Sequence, residues 1–258
     1  MNRSAVIDIL KFLVVSAAVV WLMGRGTERL GYNWQWYRVP KYIFQIQDGH
    51  FSLGLLMQGL MVTFRITAGS LVLAMIFGLT TALLRLSNSF VSRTIARAYV
   101  EIIRNTPLLV QIFFLYFVLA PIFDLNRFYA AILALSLFEG AYASEIFRAG
   151  IVSIHQGQWE AAYSLGLSTF HTYRYIVLPQ AVRRILPPLT GQAISLIKDS
   201  ALVSTIAVYD LTMQGRAIIA ETFLTFEIWF TIAAMYLMVT VTLSLVVNIM
   251  EYHFKIRA

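Results

Sequence analysis

Residues 159–188 read WEAAYSLGLSTFHTYRYIVLPQAVRRILPP, a polar and basic stretch set between long apolar runs. An ionised side chain at the centre of a bilayer costs at least ~2.5–3.5 kcal/mol on insertion scales, so such a stretch belongs where water reaches it. The flanking runs are then membrane helices, and 159–188 is a connection built to meet something in the aqueous phase. Helix rules give it a shape. Trp159 to Leu165 form a short helix, Gly166 suits a left-handed turn, Ser168 or Thr169 caps a second short helix, and Pro179 breaks that one. Ala161 and Ala162, expected exposed, make the first helix a compact knob that a groove on another protein could accept closely. Glu160 and Arg174 are placed to fix register.

Working outward, the whole chain agrees with this reading. Its 258 residues are 59% hydrophobic and 13% charged, with mean hydropathy +0.72. Soluble domains run at ~45–50% apolar and ~25% charged. The net charge of +7 does not mark a nucleic-acid binder, because Lys and Arg sit between apolar runs and no basic helix is interleaved with stacking aromatics. Cysteine is absent, which excludes disulfides, thiolate metal sites and cysteine nucleophiles.

A hydrocarbon core ~30 Å thick takes ~20 apolar residues of helix. That ruler predicts an all-α integral membrane protein of six spans, near 6–24, 55–84, 99–121, 128–147, 189–209 and 227–250. The second is overlong, and the fifth is the least apolar. The first follows Arg3 and resembles a signal peptide, but Trp21-Leu22-Met23-Gly24-Arg25 lacks small residues before a cleavage point, so it reads as a retained span. With the N-terminus inside, Arg3, Lys11, Arg85, Arg93, Arg97, Arg104, Arg148, Arg174, Arg183, Arg184, Lys255 and Arg257 face the cytoplasm. Arg25, Arg29, Arg38, Lys41, Arg127 and Arg216 face outward. The imbalance places both termini in the cytoplasm. Tyr32, Trp34, Trp36, Tyr37 and Tyr42 mark the first outer loop as a segment lying in the membrane interface.

The spacing Glu160-Ala161-Ala162-x3-Gly166-x9-Ile176-x-Leu178-Pro179 resembles the cytoplasmic coupling loop of bacterial ATP-binding-cassette importer permeases. RNTPLLVQIFFLYF at 104–117, GAYASEIFRAGI at 140–151 and IKDSALVSTIAVYDL at 197–211 are similar to segments of the polar amino acid subfamily, in that family's order. The resemblance implies a type I permease core of five helices over 55–254, with the coupling loop at 152–188 and one additional N-terminal helix in 1–54. It further implies a homodimer or a pair of similar permeases in the bacterial inner membrane, docked on a cytoplasmic ATPase dimer and served by an extracytoplasmic amino-acid-binding protein. No cofactor is expected on this chain. It has no G-x-x-x-x-G-K-[ST] loop, so ATP and Mg belong to the partner.

Ionisable groups within spans face a cavity or a partner. Arg65, Glu101, Glu139, Glu145, Lys198 and Asp199 are the candidates. Glu101 with Arg104, and Glu145 with Arg148, lie three apart and are expected to pair. Thr106-Pro107 reads as a helix start after a cytoplasmic elbow, which keeps Arg97 and Arg104 at the lipid surface. Glu139, Arg65, Gln192, Ser195, Lys198 and Asp199 form the candidate substrate pathway, since an amino acid's ammonium and carboxylate could be complemented by Glu139 and by Lys198 or Arg65. The competing reading is that these groups only tie helices together. A membrane enzyme is disfavoured, because His50, His155, His171 and His253 all lie outside the spans and neither HExxH nor GxSxG occurs. A stand-alone channel or secondary transporter, or an importer of another small zwitterion such as an opine, is the remaining alternative. A channel has no use for a docking knob.

Overall fold

The computed structural model describes residues 9, 11–18, 21, 25–26, 31–47 and 50–256. Much of the expected first span at 6–24, and both chain ends, fall outside the described residues. The chain divides into two compact units, Met1–Arg38 and Val39–Ala258. In the first, residues 11–18 are helical, and Tyr32, Trp34 and Trp36 form a ring cluster with centroids 5.2 and 5.9 Å apart.

The larger unit begins with one helical turn, Pro40–Ile43, and then has an element not expected in an all-helical chain, an antiparallel hairpin of β1 (Phe44–Gln47) and β2 (His50–Leu53), Phe44 opposite Leu53. FQIQ and HFSL alternate apolar with polar residues, the period of a strand, over too few residues to stand out beside the long apolar runs. The remainder is helical: α1 (Leu55–Leu86), α2 (Phe90–Arg104), α3 (Leu108–Phe114) continued by a π-helical turn and Ala120–Ile122, α4 (Arg127–Val152), α5 (Gln156–Ser164), α6 (Thr169–Thr172), a π-helical turn Tyr173–Val177, α7 (Leu178–Asp199), a 3-10 helix Ser200–Ile206, α8 (Leu211–Thr222) and α9 (Thr225–Ile256).

α1 and α4 run in the same direction. The Ser70 hydroxyl donates to the Ile132 carbonyl near one end, Gly78 abuts Ala143 midway, and Arg85 pairs with Glu145 towards the other. Two parallel helices need a return crossing between them, which the segment from Leu108 to Ile122 supplies. The helices meet closely because Gly78 and Gly140 have no side chain. A Cβ on Gly78 would lie 2.7 Å from that of Ala143, and one on Gly140 2.9 Å from that of Phe77.

Three apolar clusters hold the bundle. Ile66, Ile112, Leu135, Leu196 and Val203 join α1, α3, α4 and the α7 end. Leu56, Leu211, Ile218 and Ile228 join the start of α1 to α8 and α9. Ile151, Ile154, Val177, Ala181 and Ile185 lie at the opposite end.

Among the described residues, Leu55–Leu86, Arg127–Val152 and Thr225–Ile249 are each long and apolar enough to cross a membrane, and Phe90–Arg104 with Leu108–Ile122 forms a bent pair. The expected span 99–121 is therefore not one helix: it is bent by 108° at the break before Leu108. The elbow is real, but its cap differs from the expected one. Pro107 occupies the N-cap of α3, while the Thr106 hydroxyl donates backward to the Ile102 carbonyl at 2.9 Å. The Gln111 amide closes the corner on the Ile103 carbonyl at 2.7 Å.

The span expected at 189–209 also differs. Its helix begins at Leu178 and carries Pro187 and Pro188 inside it. Pro179 does not end a helix. It lies just past the π-helical turn Tyr173–Val177, where the regular ladder of backbone hydrogen bonds is already interrupted. Instead of a second short helix, α6 runs through the π turn into α7. This segment holds Arg183, Arg184, Lys198 and Asp199, so composition alone does not mark it as a crossing helix.

Candidate functional site

The knob at 155–168 is built much as helix rules require. The His155 ring Nδ1 caps α5 by accepting from the Gly157 N–H at 3.1 Å. At the other end Gly166 has φ +74, and its N–H donates to the Tyr163 carbonyl while the Leu167 N–H reaches back to Ala162. This paired closure satisfies the last carbonyls of the helix, and only glycine enters it without strain. Ser168 then caps α6 by accepting from the His171 N–H.

Glu160, Ala161 and Gly166 are exposed on the knob. Ala162 is not, contrary to expectation: it is 2% exposed, because the same face of α5 that presents Trp159 turns inward. Trp159 meets the Tyr173 ring edge-on at 5.1 Å, and the Gln180 amide donates to Gln158 at 3.1 Å. Arg184 donates to the Ser153 carbonyl at 2.6 Å, tying α7 to the end of α4. α5 is thus braced on the π turn and on α7, and α7 in turn on the end of α4. The motif residues Ile176, Leu178 and Pro179 stand apart from the knob, half-buried or exposed at the head of α7. The anchor between them, fully buried Val177, was not singled out by spacing. Tyr163, Leu165 and Phe170 also escaped notice, although they expose 48%, 81% and 66% of their surface around the knob. Apolar groups gathered beside a protrusion are the kind of surface that contacts another protein or a membrane.

At the same end, Glu145 gathers three guanidiniums. Arg148 pairs with it at 3.0 Å, Arg85 donates to the other oxygen, and Arg104 lies 3.7 Å away. The expected Glu145–Arg148 pair is present; the expected Glu101–Arg104 pair is not. Arg104 turns to Glu145 and stacks over Tyr142, while Glu101 accepts from the Asn105 amide.

Within the bundle, Glu139 is 2% exposed, and neither of its carboxylate oxygens makes a hydrogen bond of ordinary geometry. The Gln192 amide and the Asp199 carboxyl, both half-buried on α7, face it across a short gap, Gln192 as a weak donor. Ser195 is half-buried on the same helix, whereas Lys198 and Arg65 are exposed on α7 and α1. The structure brings Glu139, Gln192 and Asp199 together, and no hydrogen bond or ion pair joins Lys198 or Arg65 to Glu139.

A second buried carboxylate went unnoticed in the sequence. Asp210, fully buried, caps α8 by accepting from the Met213 N–H at 2.9 Å, and the Tyr236 hydroxyl on α9 lies 3.5 Å from its other oxygen. The neighbouring Leu211 N–H donates to the Thr63 hydroxyl of α1 at 3.2 Å. Asp before a helix is a capping signal, but after an apolar run it reads as a loop residue. Among the described residues no cluster of His, Cys, Asp and Glu could hold a metal.

A membrane-embedded helix bundle, polar along one inner helix and carrying a braced protrusion at one end, defines a transport permease subunit. The model of the binding-protein-dependent transport system inner membrane component matches residues 71–257, and the chain belongs to that family. It is 39% identical over 208 residues to the glutamine transport system permease protein GlnP of Escherichia coli K12, covering 80% of this chain and 95% of that one. It is 41% identical over 196 residues to the L-cystine transport system permease protein TcyB of Bacillus subtilis, with 75% and 83% coverage. It is 38% identical over 194 residues to the nopaline transport system permease protein NocM of Agrobacterium fabrum, with 71% and 80% coverage. Among solved structures, an amino acid ABC transporter crystallised with histidines matches with TM-score 0.72 and 38% identity, over 77% of this chain and 94% of that one. The MetNI methionine ABC transporter in an inward-facing conformation shares the fold, with TM-score 0.68 and 20% identity over 78% of this chain and 96% of that one.

Proposed function

We propose that this permease is the membrane-spanning half of an ATP-binding-cassette importer for a polar amino acid or a closely related zwitterion. It works as a homodimer or beside a similar permease in the bacterial inner membrane, with the α5 end in the cytoplasm. Two ATPase subunits, which bind ATP and Mg, grip the knob at its exposed residues Glu160, Ala161 and Gly166, while buried Ala162 seats the knob on the bundle. Ile176, Leu178 and Pro179 carry the movement into α7. An extracytoplasmic binding protein delivers the solute at the opposite end. Nucleotide binding biases a two-state equilibrium between inward- and outward-open bundles. The observation that carries this reading is the braced helix α5, held to α7, which is itself tied to the end of α4, yet edged with exposed Tyr163, Leu165 and Phe170.

Solute passes beside α7, where Gln192, Ser195 and Asp199 line the way and Glu139 of α4 offers a loosely held carboxylate to an ammonium group. Lys198 and Arg65 stand on exposed faces and would meet solute only with a second permease in place. The relatives named above span a neutral amino acid, a disulfide-linked amino acid and an opine. Their shared chemistry is an α-amino acid head group, and that is the class proposed here. Copurification of the partners followed by a ligand screen on the binding protein tests it. Recovery of an ATPase and an amino-acid-specific binding protein is expected, whereas solute flux through the purified chain alone would overturn it.

A further inference from the structure

α2 has three faces, not two. Ala96, Tyr99, Val100 and Ile103 turn inward, and the Tyr99 hydroxyl donates to the Leu137 carbonyl of α4 at 2.6 Å. Val91, Ile95, Ala98 and Ile102, at i, i+4, i+7 and i+11, form a second face that the chain leaves uncovered: Val91 and Ile102 are each 63% exposed. Arg93, Arg97, Glu101 and Arg104, also at helical spacing, form the third. Among the described residues neither the Arg93 nor the Arg97 guanidinium makes a hydrogen bond, ion pair or ring contact within the chain. Neither nearby carboxylate pairs with them: Glu145 is already shared by Arg85, Arg148 and Arg104, and Glu101, the single acid among three arginines on this face, accepts from the Asn105 amide.

The uncovered apolar face leads into a cleft. Where the chain turns by 108°, Ile102, Ile103, Val110, Phe114, Leu119 and Leu137 wall a space of about 340 Å³, apolar apart from Thr106 and Gln111. Ile102 belongs to both, so cationic edge, apolar face and apolar cleft are continuous.

We infer that this elbow is a binding site for an anionic phospholipid of the leaflet on the α5 side. The headgroup phosphate lies against Arg93 and Arg97, and an acyl chain enters the cleft beside Val110 and Phe114. Apolar burial and cationic attraction act together in such interfacial helices, and each guanidinium near an anionic headgroup strengthens binding by about five-fold. A second copy of this chain fits the face poorly. A two-fold interface would bring one positive α2 against another, with like charges opposed. The inference uses the proposed orientation only to name the leaflet as cytoplasmic.

Native mass spectrometry of the detergent-purified permease, titrated with phosphatidylglycerol and phosphatidylcholine of identical acyl chains, tests the site. The wild type is expected to retain phosphatidylglycerol at least about ten-fold better. Arg93→Gln with Arg97→Gln, both remote from the packed face, is expected to erase that preference, with helicity by circular dichroism unchanged. Val110→Trp, which fills the cleft, is expected to weaken retention of both lipids. Equal retention by the wild type, or a preference that survives the double substitution, would overturn the inference. So would displacement of the lipid by millimolar inorganic phosphate, which would indicate a site for a free anion. Cysteine is absent from the chain, so Ile95→Cys supplies a unique thiol. Its oxidation to a cross-link between two copies in membranes would show the face to be a protomer contact and refute the lipid site. Failure to recover an ATPase would strike the proposed function and leave the lipid result standing.

Discussion

At the residue scale, the polar groups fall into two kinds, those firmly partnered and those not. Glu145 is shared by three guanidiniums with 24% of its side chain exposed, and its loss leaves them facing one another. Glu145→Gln is expected to lower stability by about 2 kcal/mol, read as a fall in the unfolding midpoint of the purified permease. An unchanged midpoint would show that water already screens the cluster. Asp210 is a cap, so Asp210→Ala should cost ~1–2 kcal/mol whereas Asp210→Asn, which still accepts from the Met213 N–H, should cost a few tenths. Glu139 is the other kind. Buried, with only the loosely placed Gln192 amide facing it, it costs the bundle free energy unless something pairs with it in use. Glu139→Ala should therefore stabilise the isolated permease, or leave it unchanged, while weakening or redirecting uptake in vesicles that hold the partners. Identical uptake kinetics for every amino acid tried would return Glu139 to a packing role. Sequence reading found Gly166 and Ser168 because local backbone rules decide them. It misplaced Ala162, since which face of a nine-residue helix is covered depends on Trp159, Tyr173 and Val177 across the turn.

At the scale of elements, long apolar helices were legible and broken ones were not. α1, α4 and α9 end within several residues of the expected limits, because hydropathy alone sets them. The elbow at Pro107 was legible as a possibility because proline removes a donor, but only tertiary closure by Gln111 shows which way the corner is held. α7 and its 3-10 extension were misread at the start, where polar residues belong to a helix that apolarity could not reveal. The short helix α8 was passed over, since twelve mixed residues between two apolar runs carry no span signal. Packing of the well-read helices makes its own prediction. Gly78→Val places new methyl groups where a Cβ already meets Ala143 at 2.7 Å, and should cost at least ~1–3 kcal/mol by forcing α1 from α4. Gly191→Ala, with nothing within 4 Å of the new atom, should be neutral or stabilising by ~0.5–1 kcal/mol. Thermal unfolding of the two purified variants separates them, and equal losses would contradict the close approach.

At the scale of the whole molecule, the account joins a bundle with a loosely held carboxylate inside to a protrusion braced at one end. Family membership follows from residues 71–257, while the hairpin at 44–53 lies before that match. The central claim is mechanical: nucleotide-driven movement of a partner enters through α5 and reaches α4 and α7 by the Trp159–Tyr173, Gln158–Gln180 and Ser153–Arg184 contacts. The most direct test is the number of ATP molecules hydrolysed per solute imported in vesicles holding the complete complex, compared for wild type, Glu160→Ala and Gly166→Val. The account predicts that both variants insert and that ATP hydrolysis persists, while import per ATP falls at least ten-fold for Gly166→Val, whose left-handed turn a β-branched residue strains. An unchanged ratio in both variants would contradict it.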